Sequence, residues 1–200
     1  MTAGQRFARF ATDVVVRRPR LWRLLRPAVR SQFDRLAPVW NSMRDPEAFA
    51  GVHVALDRLE RPPARVLDLG TGTGSVARIL AERYPNAEIV GVDLAPRMIE
   101  QAQTLTNAPT VRYEVADAQR LPFDDGAFDL VTLANMIPFF DELARVVAPG
   151  GHVMFFFSGG AGTPIYVPAE RLRDELGRRG FVEFAELSAG RGTALVARKR

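Results

Sequence analysis

Cysteine is absent from the 200 residues. That excludes disulfides, a thiol nucleophile and cysteine-ligated zinc. Histidine is scarce, with only His53 and His152 present, so a histidine-rich metal centre is excluded as well and no metal is expected. Lys199 is the one lysine among 27 basic residues, so the chain holds no Tyr-x-x-x-Lys pair of the kind that serves nicotinamide-dependent oxidoreductases. No apolar run approaches the ~18 residues a membrane-spanning helix needs. The first residues lack the apolar core and small-residue cleavage site of a secretory leader. A cytoplasmic location is the expectation.

What is present suits one domain with an appendage. Hydrophobic residues make up 47% of the chain, enough for one sizeable core. The net charge of +4 is unevenly spread. Residues 1–65 carry 13 arginines against 6 acids, and residues 66–200 carry 14 basic residues against 17 acids. The positive charge therefore belongs to the N-terminal segment, and the arginine bias is compositional. Neither by itself implies nucleic-acid binding, and no nucleic-acid partner is expected.

Residues 1–62 read as a basic helical arm, and residues 63–200 as the main domain. In the arm, Phe7, Phe10, Val14, Val15, Leu21, Trp22, Leu24, Leu25, Val29 and Phe33 alternate with arginines. Pro19 and Pro27 are expected to interrupt any long helix. Two readings stand: a helical arm packed on the main domain, or an amphipathic element touching an anionic membrane or a second subunit. Asp45-Pro46-Glu47 has the form of a helix start, with Phe49, Val52, His53, Leu56 and Leu59 following at helical spacing. That places His53 on an apolar face.

From Ala64 onward strand and helix patterns alternate, which predicts an α/β fold with a mainly parallel sheet. Strands are expected at Arg65–Leu69, Glu88–Val92, Thr110–Val115, Phe128–Leu133, His152–Phe157, Phe181–Leu187 and Thr193–Arg198. The last two are joined too tightly for a crossover helix, so one of them runs antiparallel. Helices are expected at Ser75–Tyr84, from Pro96 to Leu105, near Asp141–Val147 and at Pro168–Arg179.

The chain is organised around Arg65-Val66-Leu67-Asp68-Leu69-Gly70-Thr71-Gly72-Thr73-Gly74. A buried strand runs into a glycine turn and a helix follows at once, an arrangement that brings bare backbone against a nucleotide-like ligand. Glycine permits positive φ there and removes the Cβ that would block close approach. By itself the turn also fits the dinucleotide fingerprint through Gly72-x-Gly74-x-x-Ala77. Its neighbours argue otherwise. Asp68 precedes the turn, Asp93 ends the second strand where it can accept ribose hydroxyls, and Asp117 follows the third. Three carboxylates suit an adenosine that carries positive charge better than one that carries phosphates.

Four blocks in order then carry a resemblance: Val66–Gly74; Gly91-Val92-Asp93-Leu94-Ala95-Pro96-Arg97-Met98; Ala116-Asp117-Ala118 through Leu130-Val131; and Arg145-Val146-Val147-Ala148-Pro149-Gly150-Gly151. Over about residues 64–157 the chain resembles the class I S-adenosylmethionine-dependent methyltransferases, in particular the small-molecule branch of the menaquinone and ubiquinone C-methyltransferases. The resemblance implies a Rossmann-like seven-stranded sheet with the last strand antiparallel, and S-adenosylmethionine as cofactor. It implies methyl transfer to a small hydrophobic or aromatic acceptor at carbon or oxygen.

The resemblance also implies roles by position. Gly70, Thr71, Gly72 and Gly74 would border the methionine moiety, with Asp68 near its amino group. Asp93 would hold the ribose, Leu94 would pack on the adenine, and Asp117 and Ala118 would face its edge. Asn135 would lie beside the sulfonium. Candidate acceptor contacts are Phe33, Trp40, Met136, Phe139, Phe140 and Tyr166, with 33–43 as a lid. His53 and Asn135 are the candidates for a catalytic group, His53 against a packed, structural reading. Two departures stand out. No histidine follows strand four, and no Asn-Pro-Pro-Tyr-type block occurs there, which argues against exocyclic amines as acceptors. The alternatives are a non-catalytic S-adenosylmethionine-binding subunit, an NAD(P)-dependent oxidoreductase, and a basic arm that binds RNA.

Overall fold

A computed structural model describes residues 1–43 and 49–200. The Asp45-Pro46-Glu47 helix start lies outside the described residues. Helix α1 (Ala3–Arg17) opens on a capping box: Thr2 Oγ1 accepts from the Gln5 amide, and Gln5 Oε1 accepts from the Thr2 amide. It stops before Pro19, where a short 3-10 turn leads into α2 (Trp22–Leu36). Pro27 does not break α2, contrary to expectation. It sits early in the helix, where its missing N–H withdraws a single bond, and the buried anchors Trp22 and Val29 hold the segment helical. Two further 3-10 turns end at Met43, and α3 (Ala50–Leu56) closes the arm.

The main domain alternates β1 (Arg65–Leu69), α4 (Ser75–Arg83), β2 (Glu88–Asp93), α5 (Pro96–Leu105), β3 (Val111–Val115), β4 (Phe128–Ala134), α6 (Phe140–Val146), β5 (Val147–Phe157), α7 (Ala169–Gly177), β6 (Phe181–Ala189) and β7 (Gly192–Lys199). The seven-stranded sheet has the order β3-β2-β1-β4-β5-β7-β6. β1 pairs parallel to both β2 and β4, while β7 runs antiparallel to its neighbours β5 and β6. The strand order reverses direction at β1 and β4, the switch point beyond whose carboxyl ends ligands bind in open α/β sheets.

Both faces of the sheet are covered, so the central strands read as continuous apolar runs. Alternation along each strand divides them. Leu67, Leu69, Val90, Val92, Val131, Leu133 and Phe155 face the side of α6 and α7. Val66, Ile89, Leu130, Met154 and Phe156 face α3 and α4. Ala11, Val15, Trp22 and Val29 of the arm join the first of these two clusters. At roughly 25 cal/mol per Å² of apolar area removed from water, burying each of those arm side chains favours the docked arm over a solvated one.

Candidate active site

The site begins where β1 gives out. Gly70, Gly72 and Gly74 have φ of 72°, 55° and 78°, the left-handed region that glycine enters without a Cβ penalty. The amides of Gly70 and Thr71 both donate to the Val92 carbonyl, at 2.8 and 2.9 Å, tying the turn to the end of β2. A Cβ on Gly70 would lie 2.7 Å from Met136 Sδ. At Gly74 it would run into the Tyr113 hydroxyl. The bareness of the turn thus admits the chain's own side chains at two of its glycines.

Asp93 is the electrostatic centre. Its Oδ2 accepts from the Gly72 amide and its Oδ1 from the Ala95 amide, both at 2.9 Å. Burial pushes its carboxyl up from 3.8 to about 6, against the opposing pull of these backbone donors and with a smaller push from Asp68. A carboxylate can accept about four hydrogen bonds, so Asp93 retains acceptor capacity toward the cavity it lines.

That cavity, of about 70 Å³, is closed by four groups of residues. Leu69, Gly70, Gly72 and Val92 form its floor, Leu94, Met98, Ala116 and Ala118 one wall, and Ala134, Asn135, Met136, Ile137 and Ile165 another. The arm supplies the roof through Trp22, Val29, Phe33 and Trp40. Phe33 and Trp40 meet edge to face, with ring centroids 5.6 Å apart. Asp93 is the only ionisable side chain among these lining residues.

The roof is pinned at several points. Trp22 Nε1 donates to Asp117 Oδ1 at 2.8 Å, and Arg26 Nη1 pairs with Asp117 Oδ2 at 3.0 Å. The Arg97 amide, in the first turn of α5, donates to Asp34 Oδ1, and Thr73 Oγ1 donates to Asn41 Oδ1 at 2.6 Å. Arg9 reaches the carbonyls of Ala161 and Thr163 from α1.

The structure brings Gly70, Gly72, Asp93, Leu94, Ala118, Asn135, Met136, Phe33 and Trp40 onto one cavity. It does not bring all three carboxylates there. Asp68 lies one residue before Leu69, and alternation turns it to the opposite face of the sheet. There it is 1% exposed and accepts from Thr71 Oγ1 at 2.6 Å and Thr132 Oγ1 at 2.9 Å. Thr132 is its register partner on β4. Asp117 is turned to the arm. Thr71 and Gly74 shape the turn from outside the cavity. Phe139 packs behind the roof against Trp22, Tyr166 packs on Phe157 while its neighbour Ile165 reaches the cavity, and Phe140 packs on Phe155.

His53 is exposed on α3 and does not line the cavity, because Val52, Ala55 and Leu56 take the buried face of that short helix. The packed reading fails on that exposure, and the cavity's lining lends the catalytic one no support. His152, on β5, has its imidazole pKa lowered by burial and by Arg198. Asn135 stands at the end of β4 with φ 52°. Its amide nitrogen donates to Ser158 Oγ at 3.0 Å and its Oδ1 accepts from the Ser158 amide at 3.0 Å. A non-glycine residue held left-handed at a strand end is a local strain found preferentially at functional sites.

Sequence reasoning missed Trp22, Val29, Met98, Ile137 and Ile165 as cavity residues. Trp22, Val29 and Phe33 had a usable signal, since spacings of seven and four put them on one helical face. Ile165 had none, because it comes from an irregular loop.

Residues 66–151 match a family described as a methyltransferase domain. The chain is 49% identical over 105 residues to a demethylmenaquinone methyltransferase of Thermus thermophilus, covering 48% of each protein. It is 44% identical over 93 residues to a malonyl-acyl-carrier protein O-methyltransferase of Geobacter sulfurreducens, covering 46% of this chain and 35% of that one. The chain thus spans half or less of the length of these curated relatives. A SAM-dependent methyltransferase from Aquifex aeolicus superposes with a TM-score of 0.67 at 17% identity, over 79% of this chain and 95% of that one, a likeness of fold. Asp93 is the one carboxylate among the cavity's lining residues, beside Leu94, Ala116 and Ala118, and its oxygens can accept the hydroxyls of a ribose. Residues 66–151 are thus similar to a methyltransferase domain, and the fold that carries them is similar to that of a SAM-dependent methyltransferase.

Proposed function

We propose that the protein transfers a methyl group from S-adenosylmethionine to a small, apolar, aromatic acceptor of the quinol type, at carbon or oxygen, in the cytosol. The observation that carries this reading is the cavity whose single ionisable lining residue is Asp93. When bound, the cofactor supplies an electrophilic methyl on a sulfonium, with its own leaving group. The chain's work is then to hold, align and dry the site.

Asp93 is the residue to accept the ribose hydroxyls, and Leu94, Ala116 and Ala118 offer an apolar slot for the adenine. The backbone from Gly70 to Gly74 would border the methionine end. Phe33, Trp40 and Met136 would surround the acceptor and exclude water, and Asn135 would sit at the reacting end with its amide oriented by Ser158. Because Asp93 is committed to the turn and the ribose, no lining group is left to take a proton. The acceptor must then carry its own nucleophile, as an ionised quinol or phenol does. Relatives are named for demethylmenaquinone and for malonyl-acyl-carrier protein, and the apolar walls favour the aromatic class.

Two measurements test this. S-adenosylhomocysteine should raise the melting temperature and NAD should not, with Asp93→Ala abolishing the shift. Incubation with S-adenosylmethionine and a naphthoquinol lacking one ring methyl should give a product heavier by one methylene unit. Stabilisation by NAD alone would sink the cofactor reading. Turnover of an aliphatic carboxylate, with the naphthoquinol untouched, would sink the acceptor reading.

A further inference from the structure

The roof has an outer face that the site does not use. Residues 14–33 contain six arginines and no acid. Four of them, Arg17, Arg18, Arg20 and Arg23, cluster where α1 turns into α2, and all are exposed. None makes an ion pair among the described residues, whereas the next two along α2, Arg26 and Arg30, pair with Asp117 and Asp34. Leu24 stands in the same elbow with 69% of its surface exposed. One turn of helix therefore carries two opposed faces: Trp22, 3% exposed, closes the cavity, while Arg23 and Leu24 point to solvent. The elbow is not a loose tail. Gln119 Nε2 donates to the Pro19 carbonyl at 3.0 Å, and Trp22 is bonded to Asp117.

From this placement we infer that the α1–α2 elbow seats on an anionic phospholipid surface. Guanidinium groups bind phosphate bidentately, and a protruding leucine among them inserts into the apolar boundary below the headgroups. Single-stranded nucleic acid is the other polyanion such a cluster could meet, but its binders pair basic grooves with exposed aromatic platforms. Within the elbow itself the ring, Trp22, faces inward and the outward apolar group, Leu24, is aliphatic, while the exposed ring of Phe10 lies further back on α1. Resting on the apolar acceptor proposed above, the docked elbow would hold the cavity roof against the phase in which such an acceptor dissolves.

The test is co-sedimentation of the full chain with vesicles of phosphatidylcholine alone and of phosphatidylcholine with phosphatidylglycerol, without cofactor. The wild-type protein should pellet only with the anionic vesicles, and added salt should release it. Each arginine neutralised should weaken binding about fivefold, so the combined R17Q/R18Q/R20Q/R23Q variant should lose it by two to three orders of magnitude on that same scale. Leu24→Glu should lose it as well. Circular dichroism and the shift with S-adenosylhomocysteine should be unchanged in every variant, which separates failure of docking from failure of the methyltransferase reading. Equal pelleting of wild type and the fourfold variant, no pelleting of wild type at low salt, or tighter binding to single-stranded RNA than to anionic vesicles would each overturn the inference.

Discussion

Asp93 offers the sharpest test of how the site works, because its burial and its function pull in opposite directions. Its carboxyl titrates near 6 in the folded protein against 3.8 ordinarily. The folded state therefore prefers the protonated acid. The stability this gives is full below the unfolded value, falls as pH rises toward 6, and is gone above it. The difference of about two units corresponds to about 3 kcal/mol. Asp93→Asn removes that titration, while giving the Gly72 and Ala95 amides one good acceptor instead of two, a loss of about 1–3 kcal/mol. Urea unfolding of both proteins across the acid range isolates the effect, since other groups cancel in the difference. Wild type should lose up to about 3 kcal/mol relative to the variant between pH ~4 and ~7. Binding of S-adenosylhomocysteine should move the other way. Wild-type affinity should fall about tenfold per pH unit below ~6 as the acceptor is protonated, and the variant should bind weakly at every pH. Parallel stability curves, or calorimetric affinity that is flat across this range, would refute both the burial of the charge and its role at the ribose.

Gly74→Ala should destabilise the protein by about 2 kcal/mol or more, since it adds left-handed strain to a clash with the Tyr113 hydroxyl; urea midpoints should show it, and Tyr113→Ala in the same chain should return part of the loss. Thr132→Val takes a hydroxyl donor from the buried Asp68 and should cost about 1–3 kcal/mol, with cofactor affinity retained because Asp68 does not line the cavity; a lost affinity at unchanged stability would refute that placement. Trp22→Ala should cost about 3–5 kcal/mol on thermal or urea unfolding, and stopped-flow binding of S-adenosylhomocysteine should become faster as the roof loses its tie to Asp117.

The strand positions of the main domain were legible because both faces of its sheet are buried, so Val153–Phe157 is apolar throughout and Val66–Leu69 is interrupted only by Asp68. The glycine turn and Asp93 were legible because backbone conformation and strand position dictate residue type there. The destinations of Asp68 and Asp117 were not. Asp68 is set by a one-residue alternation against Thr132, a neighbour 64 positions away in the chain, and Asp117 by an arm helix 91 to 95 positions before it. Pairings of that span leave no periodic trace. The exposure of His53 was misread for a related reason: the spacing shared with Val52 and Leu56 is compatible with either side of a short helix, and packing against β6 and β7 decides it.

The same division explains why the donor is easier to read than the acceptor. On the proposed reading, the cofactor half of the cavity is made at strand ends, where the sheet forces glycine, acid and small residues into fixed places. The acceptor half would be made by Phe33 and Trp40 from the arm and by Met136, Ile137 and Ile165 from links between elements, segments free to change without disturbing the sheet. What those segments share is chemistry, not pattern: all five side chains are hydrophobic and none ionises. A site built so can align and desolvate a nucleophile but cannot create one. If the cavity methylates as proposed, the burden of activation falls on the acceptor, and its acidity, more than its shape, sets which molecules it can take.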